Sequence, residues 1–139
     1  MKTILLLALS SLTLILSGCS DSHAADHAAE PAPACTYKEG LGLELSPAGS
    51  KFIGLKTAEY AGRLPQDALL RTAKGDFVYV ANGGRLLRTP VKIGASDDKG
   101  FEIADGLYEG DTVAVAGVRG LWLAELQAVN GGVGCADGH

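Results

Sequence analysis

The body of this sequence contains no histidine. His23, His27 and His139 all lie near the chain ends, so no Ser-His-Asp or Cys-His arrangement can form within the folded part from this chain alone. Aromatic residues are scarce at 6%, and the single Trp122 reads as core rather than as a ligand platform. A basic excess is also missing. Twelve Lys and Arg face sixteen Asp and Glu, a net charge of −4, and no basic stripe appears, which argues against nucleic acid as a partner. The acidic residues do not form a calcium loop. Asp97-Asp98 in "SDDKG" and Asp105, Glu109 and Asp111 in "DGLYEGD" lack its one-three-five spacing and stand where turns favour Asp and Gly. Asn82-Gly83-Gly84 is no phosphate cradle, since no helix follows it. The expectation is a protein without catalytic residues and without a cofactor in its body.

A long apolar run is lacking too. Thr3 to Leu16, after the positive Lys2, is too short for a comfortable membrane span. It ends in "LSGC", which resembles the bacterial lipobox, and residues 1–18 read as a lipoprotein signal peptide. The resemblance implies cleavage before Cys19 and acylation of that residue. Several acyl chains at about 0.8 kcal/mol per buried CH₂ exceed the marginal hold of one. The expected location is the periplasm of a Gram-negative bacterium, on a lipid anchor. Ser20 favours the outer membrane, and Asp21 leaves room for the inner one. Lys2 is the only charge lost on maturation, so 11 basic residues then face 16 acidic ones.

Residues 19–35 are rich in Ala, Pro and small polar residues and read as a disordered tether. Residues 36–130 suffice for one small domain, and 131–139 form a Gly-rich tail. His23 and His27 have a spacing that could bind a divalent or copper ion, with His139 as a further tail ligand; chance histidines in a linker are the alternative. Cys35 and Cys135 flank the domain. In an oxidising compartment such a pair favours a disulfide, provided that the domain's two ends lie side by side. Two free thiols, or a metal-thiolate pair, are the other readings.

Within the domain, "LGLEL" predicts a short strand. Ser46 as N-cap with Pro47 at the first helical position predicts a helix running to Ile53, with Phe52 and Ile53 as its apolar side. "LKTAEY" reads as another strand, and Ala68 to Arg71 as extended. Phe77 to Ala81 and Leu86 to Ile93 form a hairpin about an Asn82-Gly83 turn, pairing Val78 with Leu87 and Tyr79 with Leu86. Val78, Val80, Leu87, Val91 and Ile93 then share a core-facing side. Phe77, Tyr79, Leu86 and Arg88 cover the other side, either as a partner-binding surface or beneath another strand or the closing helix. Pro90 belongs at an edge or a bulge. "FEIA" and "TVAVAG" are strands, with Val113 and Val115 facing one way. "LWLAELQAV" closes the domain as a helix with Trp122, Leu126 and Val129 at helical spacing. The fold class is mainly β: a small β-barrel or meander of short antiparallel strands with one or two short helices.

These motifs add up to a resemblance. "LSPAGSKFIGLKTAEY" is similar to the segment opening the mature part of heavy-metal-type membrane fusion proteins, the HlyD-like periplasmic adaptors of RND efflux pumps. "LPQDALLRTAKGDFVYVANGGRLLRTPVKIG" with "GLYEGDTVAVAG" is similar to those adaptors' C-terminal region. In a complete adaptor the two stretches are separated by a barrel-sandwich, an α-hairpin and a β-barrel domain. Here "TAEYAGR" runs almost directly into "LPQDALL", so what remains looks like the membrane-proximal domain alone. The resemblance implies docking on an RND-type inner-membrane pump or on its full-length adaptor.

Overall fold

The computed structural model describes residues 33–130. The signal peptide, Cys19, His23, His27, Cys135 and His139 lie outside the described residues. Their assigned roles therefore stay expectations.

The described chain is mainly β, as expected, but its strands make open antiparallel sheets rather than a closed barrel. β1 (Cys35–Lys38) and β2 (Gly42–Leu45) pair as a hairpin with Cys35 opposite Leu45. β1 had no clear signal, because its four residues follow directly on the Pro- and Ala-rich segment. Gly42 is held at φ 94, and a Cβ there would meet the Leu86 carbonyl oxygen at 2.2 Å, so only glycine fits this crossing. α1 (Pro47–Phe52) begins as predicted, with the Gly49 amide donating to Ser46 Oγ at 3.0 Å. Its apolar side differs from expectation: Ile53 turns inward and Phe52 is 90% exposed. Adjacent helical residues point about 100° apart, so one and a half turns cannot direct both toward the core.

β3 (Lys56–Glu59) follows, then a tight loop through Gly62 and a 3-10 turn at Gln66–Ala68. The turn takes up the start of the stretch expected to be extended, and the strand proper is β4 (Leu70–Thr72). β5 (Gly75–Asn82) and β6 (Arg85–Pro90) form the predicted hairpin, shifted by one residue. Gly83 and Gly84, at φ 56 and 82, occupy the turn, and Asn82 pairs with Arg85 as the last rung. A turn needing positive φ at both central positions takes two glycines in preference to Asn-Gly when both are on offer. Val78 therefore lies opposite Thr89 and Val80 opposite Leu87, not Val78 opposite Leu87 as expected. Each strand's inward set survives, because moving both turn residues by one preserves the parity of the pairing.

The returning strand stops at Pro90. The chain re-forms as β7 (Lys92–Asp97), which pairs with β8 (Gly100–Asp105) in a separate two-stranded sheet. Pro90 has no amide hydrogen to continue the ladder, consistent with its expected edge position. β9 (Thr112–Ala116) runs between β5 and β3, giving the main sheet the order β1-β2-β6-β5-β9-β3, with β4 beside the first half of β5. α2 (Val118–Val129) closes the domain.

The main sheet carries a core on each face. On one side Val78, Val91, Val113 and Phe101 pack with Tyr60, Leu64 and Ala68 beneath the β7–β8 ribbon. On the other, Leu43, Leu70, Tyr79, Leu86 and Ala114 pack against Val118 and Leu121 of α2. The ribbon is tied down at its tip. Gln66 Nε2 donates to the Asp97 carbonyl at 2.7 Å, and Arg63 lies 2.5 Å from Asp97 Oδ1. Asp97 Oδ1 also accepts from the amides of Lys99 and Gly100, so this acid serves the turn as predicted. Those amide bonds, with Arg63, hold its carboxyl below the usual range.

Candidate functional site

The second face of the β5–β6 hairpin is the natural place to look for a contact surface, and α2 decides its fate. Tyr79 is 0% exposed and Leu86 is 8% exposed beneath that helix. The expectation of an outward surface made from Phe77, Tyr79, Leu86 and Arg88 is therefore corrected for Tyr79 and Leu86. The alternative that the closing helix covers this face is the one realised. Covering it removes a large aromatic and an aliphatic side chain from water, roughly 1.5–3 kcal/mol for a side chain of that kind.

The helix does so with an unexpected stripe. Trp122, Leu126 and Val129, the apolar residues whose helical spacing predicted this helix, are not the stripe that it buries. Instead Val118, Leu121 and Glu125 are buried, Trp122 is half-buried, and Leu126 and Val129 are exposed. Helical periodicity fits both stripes, and a glutamate at the centre of the true one hid it. Glu125 is buried because partners await it on the sheet. Tyr79 donates its hydroxyl to Glu125 Oε2 at 2.6 Å, and Arg88 donates Nε–H to Oε1 at 3.1 Å. Burial first, and then the hydrogen bond and charge of Glu125, push the Tyr79 phenol far above its ordinary range, while Arg88 opposes them. The Arg88 guanidinium also lies 4.9 Å from the centroid of the Phe77 ring. Phe77, Tyr79, Arg88 and Glu125 thus clasp hairpin to helix. Sequence reasoning had Tyr79 and Arg88 as neighbours on one face but had no signal for Glu125, whose ordinary place is solvent.

What remains open is the margin of this clasp. Arg88 keeps about 30% of its side chain exposed. It borders a shallow apolar groove with Trp122, Leu126, Thr72, Ala73 and Lys74. On the opposite flank of α2 a second apolar groove lies between α1 and α2. Among the described residues no cluster of His, Cys, Asp and Glu could hold a metal ion. The first groove offers apolar contact rimmed with the positive charge of Arg88 and Lys74, and the second offers apolar contact beside the Cys35 thiol.

Residues 63–118 match the family model of the CzcB C-terminal circularly permuted SH3-like domain. The match starts immediately after the Gly62 loop and ends on the first residue of α2. This segment is similar to the C-terminal, membrane-proximal region of heavy-metal efflux adaptors, in agreement with the motifs. The earlier stretch lies outside the match, yet its strands join the same sheet, β2 through Leu43–Leu86 and β3 along β9. No curated protein and no solved structure gives a match.

Proposed function

We propose that this chain is a lipid-anchored periplasmic accessory, or truncated adaptor, that docks on an RND-type efflux system. The match of residues 63–118 to an adaptor domain carries the reading. The domain's surroundings support it: β3 meets Arg63 through a short loop, so the two adaptor-like stretches form one unit with no intervening domain between them. An α-hairpin to reach an outer-membrane channel has no place in that loop. Docking on the pump, or on a complete adaptor, is the capability left, and it requires neither a catalytic residue nor a cofactor. The contact surface is the groove margin of Arg88, Trp122, Leu126 and Lys74, in place of the buried hairpin face. Cys19 provides the anchor and residues 20–34 the reach.

The test is an affinity capture of the tagged, lipidated protein from crosslinked native membranes, with proteins identified by mass spectrometry. Recovery of an RND pump or a full-length adaptor is expected, reduced by Leu126→Asp and Lys74→Glu, which change exposed side chains. If the bait is folded and abundant and neither partner is recovered, the docking reading is rejected. Metal titration of the mature chain, with His23, His27 and His139 replaced by Ala, then examines metal binding by the tails.

A further inference from the structure

Helix α2 buries its one acidic residue and leaves leucines outside. Glu125 faces the sheet, while Leu123 is 52% exposed and Leu126 39%. Arg119 and Gln127 are the polar residues on that outer side. Phe52 of α1, 90% exposed, lines the same groove as Leu123, and Trp122 lines the same groove as Leu126. Leu123 and Leu126 are about one helical turn apart, so Phe52, Leu123, Leu126 and Trp122 form one apolar strip across the helix. A helix with apolar residues on both faces ordinarily has apolar material on both, and the sheet supplies it on one.

Cations border this strip in a chain of net charge −4. Exposed Lys51 precedes Phe52, and exposed Arg119 stands one turn before Leu123. Arg71 and Lys74 line the grooves beside Trp122. Two acids oppose these four cations: Asp67 in the same lining, and Asp76, 3.8 Å from Arg71. Arg88 and Glu125 already match one another. The β7–β8 ribbon lies over the other face of the sheet and has the opposite balance. Asp97, Asp98, Glu102 and Asp105 outnumber Lys92 and Lys99 there, even with Arg63 paired to Asp97. Charge is thus segregated, positive around the strip and negative on the far side.

We infer that this strip is the domain's contact with an anionic lipid bilayer. Phe52 and Leu123 enter the boundary between headgroups and acyl chains, with Trp122 and Leu126 at its level. Lys51 and Arg119 meet the lipid phosphates, and Arg71 and Lys74 add a longer-range attraction that salt screens. The 12 residues of α2 make about 18 Å of helix, short of the ~30 Å hydrocarbon core, so α2 lies along the surface. Two copies joined through the strip would instead set its cations against each other. A bilayer supplies both the apolar cover and the opposite charge. The inference goes beyond pump docking and does not depend on it, since the groove margin at Lys74 and Arg88 stays open to a protein partner.

The test takes the mature chain with Cys19→Ser, which removes the expected acylation site, so that any binding comes from the protein surface. It is sedimented with vesicles of phosphatidylcholine mixed with anionic phosphatidylglycerol, and with vesicles of phosphatidylcholine alone. Co-sedimentation with the anionic vesicles is expected, weakening as salt rises, with a blue shift in the fluorescence of Trp122, the single tryptophan. Phe52→Ala should lower the partition coefficient by about tenfold or more. Arg119→Ala should lower it by about fivefold, and Lys99→Ala, on the ribbon, should leave it unchanged. Far-ultraviolet circular dichroism checks that each variant is folded. No binding to anionic vesicles, equal binding to both kinds, or binding that Phe52→Ala leaves intact overturns the proposal. So does a dimer in sedimentation velocity that Phe52→Ala dissolves, which would give the strip to a second copy. The vesicles contain no protein, so this result and the capture of a pump can fail separately.

Discussion

Removing the Glu125 carboxylate should cost more stability alone than in combination with removal of the Tyr79 hydroxyl. In Glu125→Leu the buried phenol loses the acceptor it has among the described residues, at 2.6 Å, and Arg88 loses its partner at 3.1 Å. An unsatisfied buried donor costs about 1–3 kcal/mol. Arg88 adds less, because its side chain is about 30% exposed and water can reach it. Leucine recovers part of the loss by relieving the desolvation of a charge. The single variant should therefore lose about 2–3 kcal/mol. Tyr79→Phe leaves the carboxylate with Arg88 alone, at a cost of about 1–2 kcal/mol. Glu125→Leu with Tyr79→Phe has no orphaned phenol or carboxylate and leaves only the partly exposed Arg88 without its partner, so its loss should lie below that of Glu125→Leu, a coupling of at least about 1–2 kcal/mol. Urea unfolding, followed by Trp122 fluorescence and circular dichroism, reads this as a shift in midpoint at constant slope. A neutral Glu125→Leu, or losses that simply add, would refute the clasp as an energetic link between helix and hairpin.

Three further outcomes follow from particular residues. Stability should fall at high pH: the folded Tyr79 pKa is raised, so its contribution is complete below the unfolded value of about 10. Above that value the unfolded chain ionises first, and stability declines by about 1.4 kcal/mol per pH unit; Tyr79→Phe should flatten this part of the curve in alkaline unfolding titrations. Gly42→Ala should be far more damaging than Gly83→Ala, since a Cβ at Gly42 meets backbone at 2.2 Å whereas Gly83 has open space and only the left-handed φ penalty of about 1–2 kcal/mol. Thermal melts that rank the two equally would contradict the close crossing of β2 over β6. Leu121→Ala, at a fully buried site, should cost about 2–5 kcal/mol in urea, while Phe52→Ala should stay within about 0.5 kcal/mol.

Local rules located most elements. Ser46-Pro47 announced α1, alternation announced the hairpin, and Val78, Val91 and Val113 declared their inward face by period alone. The turn slipped by one residue because Asn-Gly and Gly-Gly are both good turn chemistry, and their difference is smaller than a local reading resolves. β1 escaped notice because four residues beside β2 are made a strand by pairing and carry little propensity of their own.

Sequence by itself determined the two faces of the hairpin, the acidic turn at Asp97, and the ordered motifs that resemble an adaptor domain. These depend on residue type and on neighbours a few positions away. Tertiary structure alone decided which face of α2 turns inward and whether the greasy side of the hairpin meets solvent. Glu125 settles both, and a glutamate can be buried only where a phenol and a guanidinium from distant strands already wait to satisfy it. That condition joins residues 37 and 46 positions apart, a pairing that exists only once the sheet has formed.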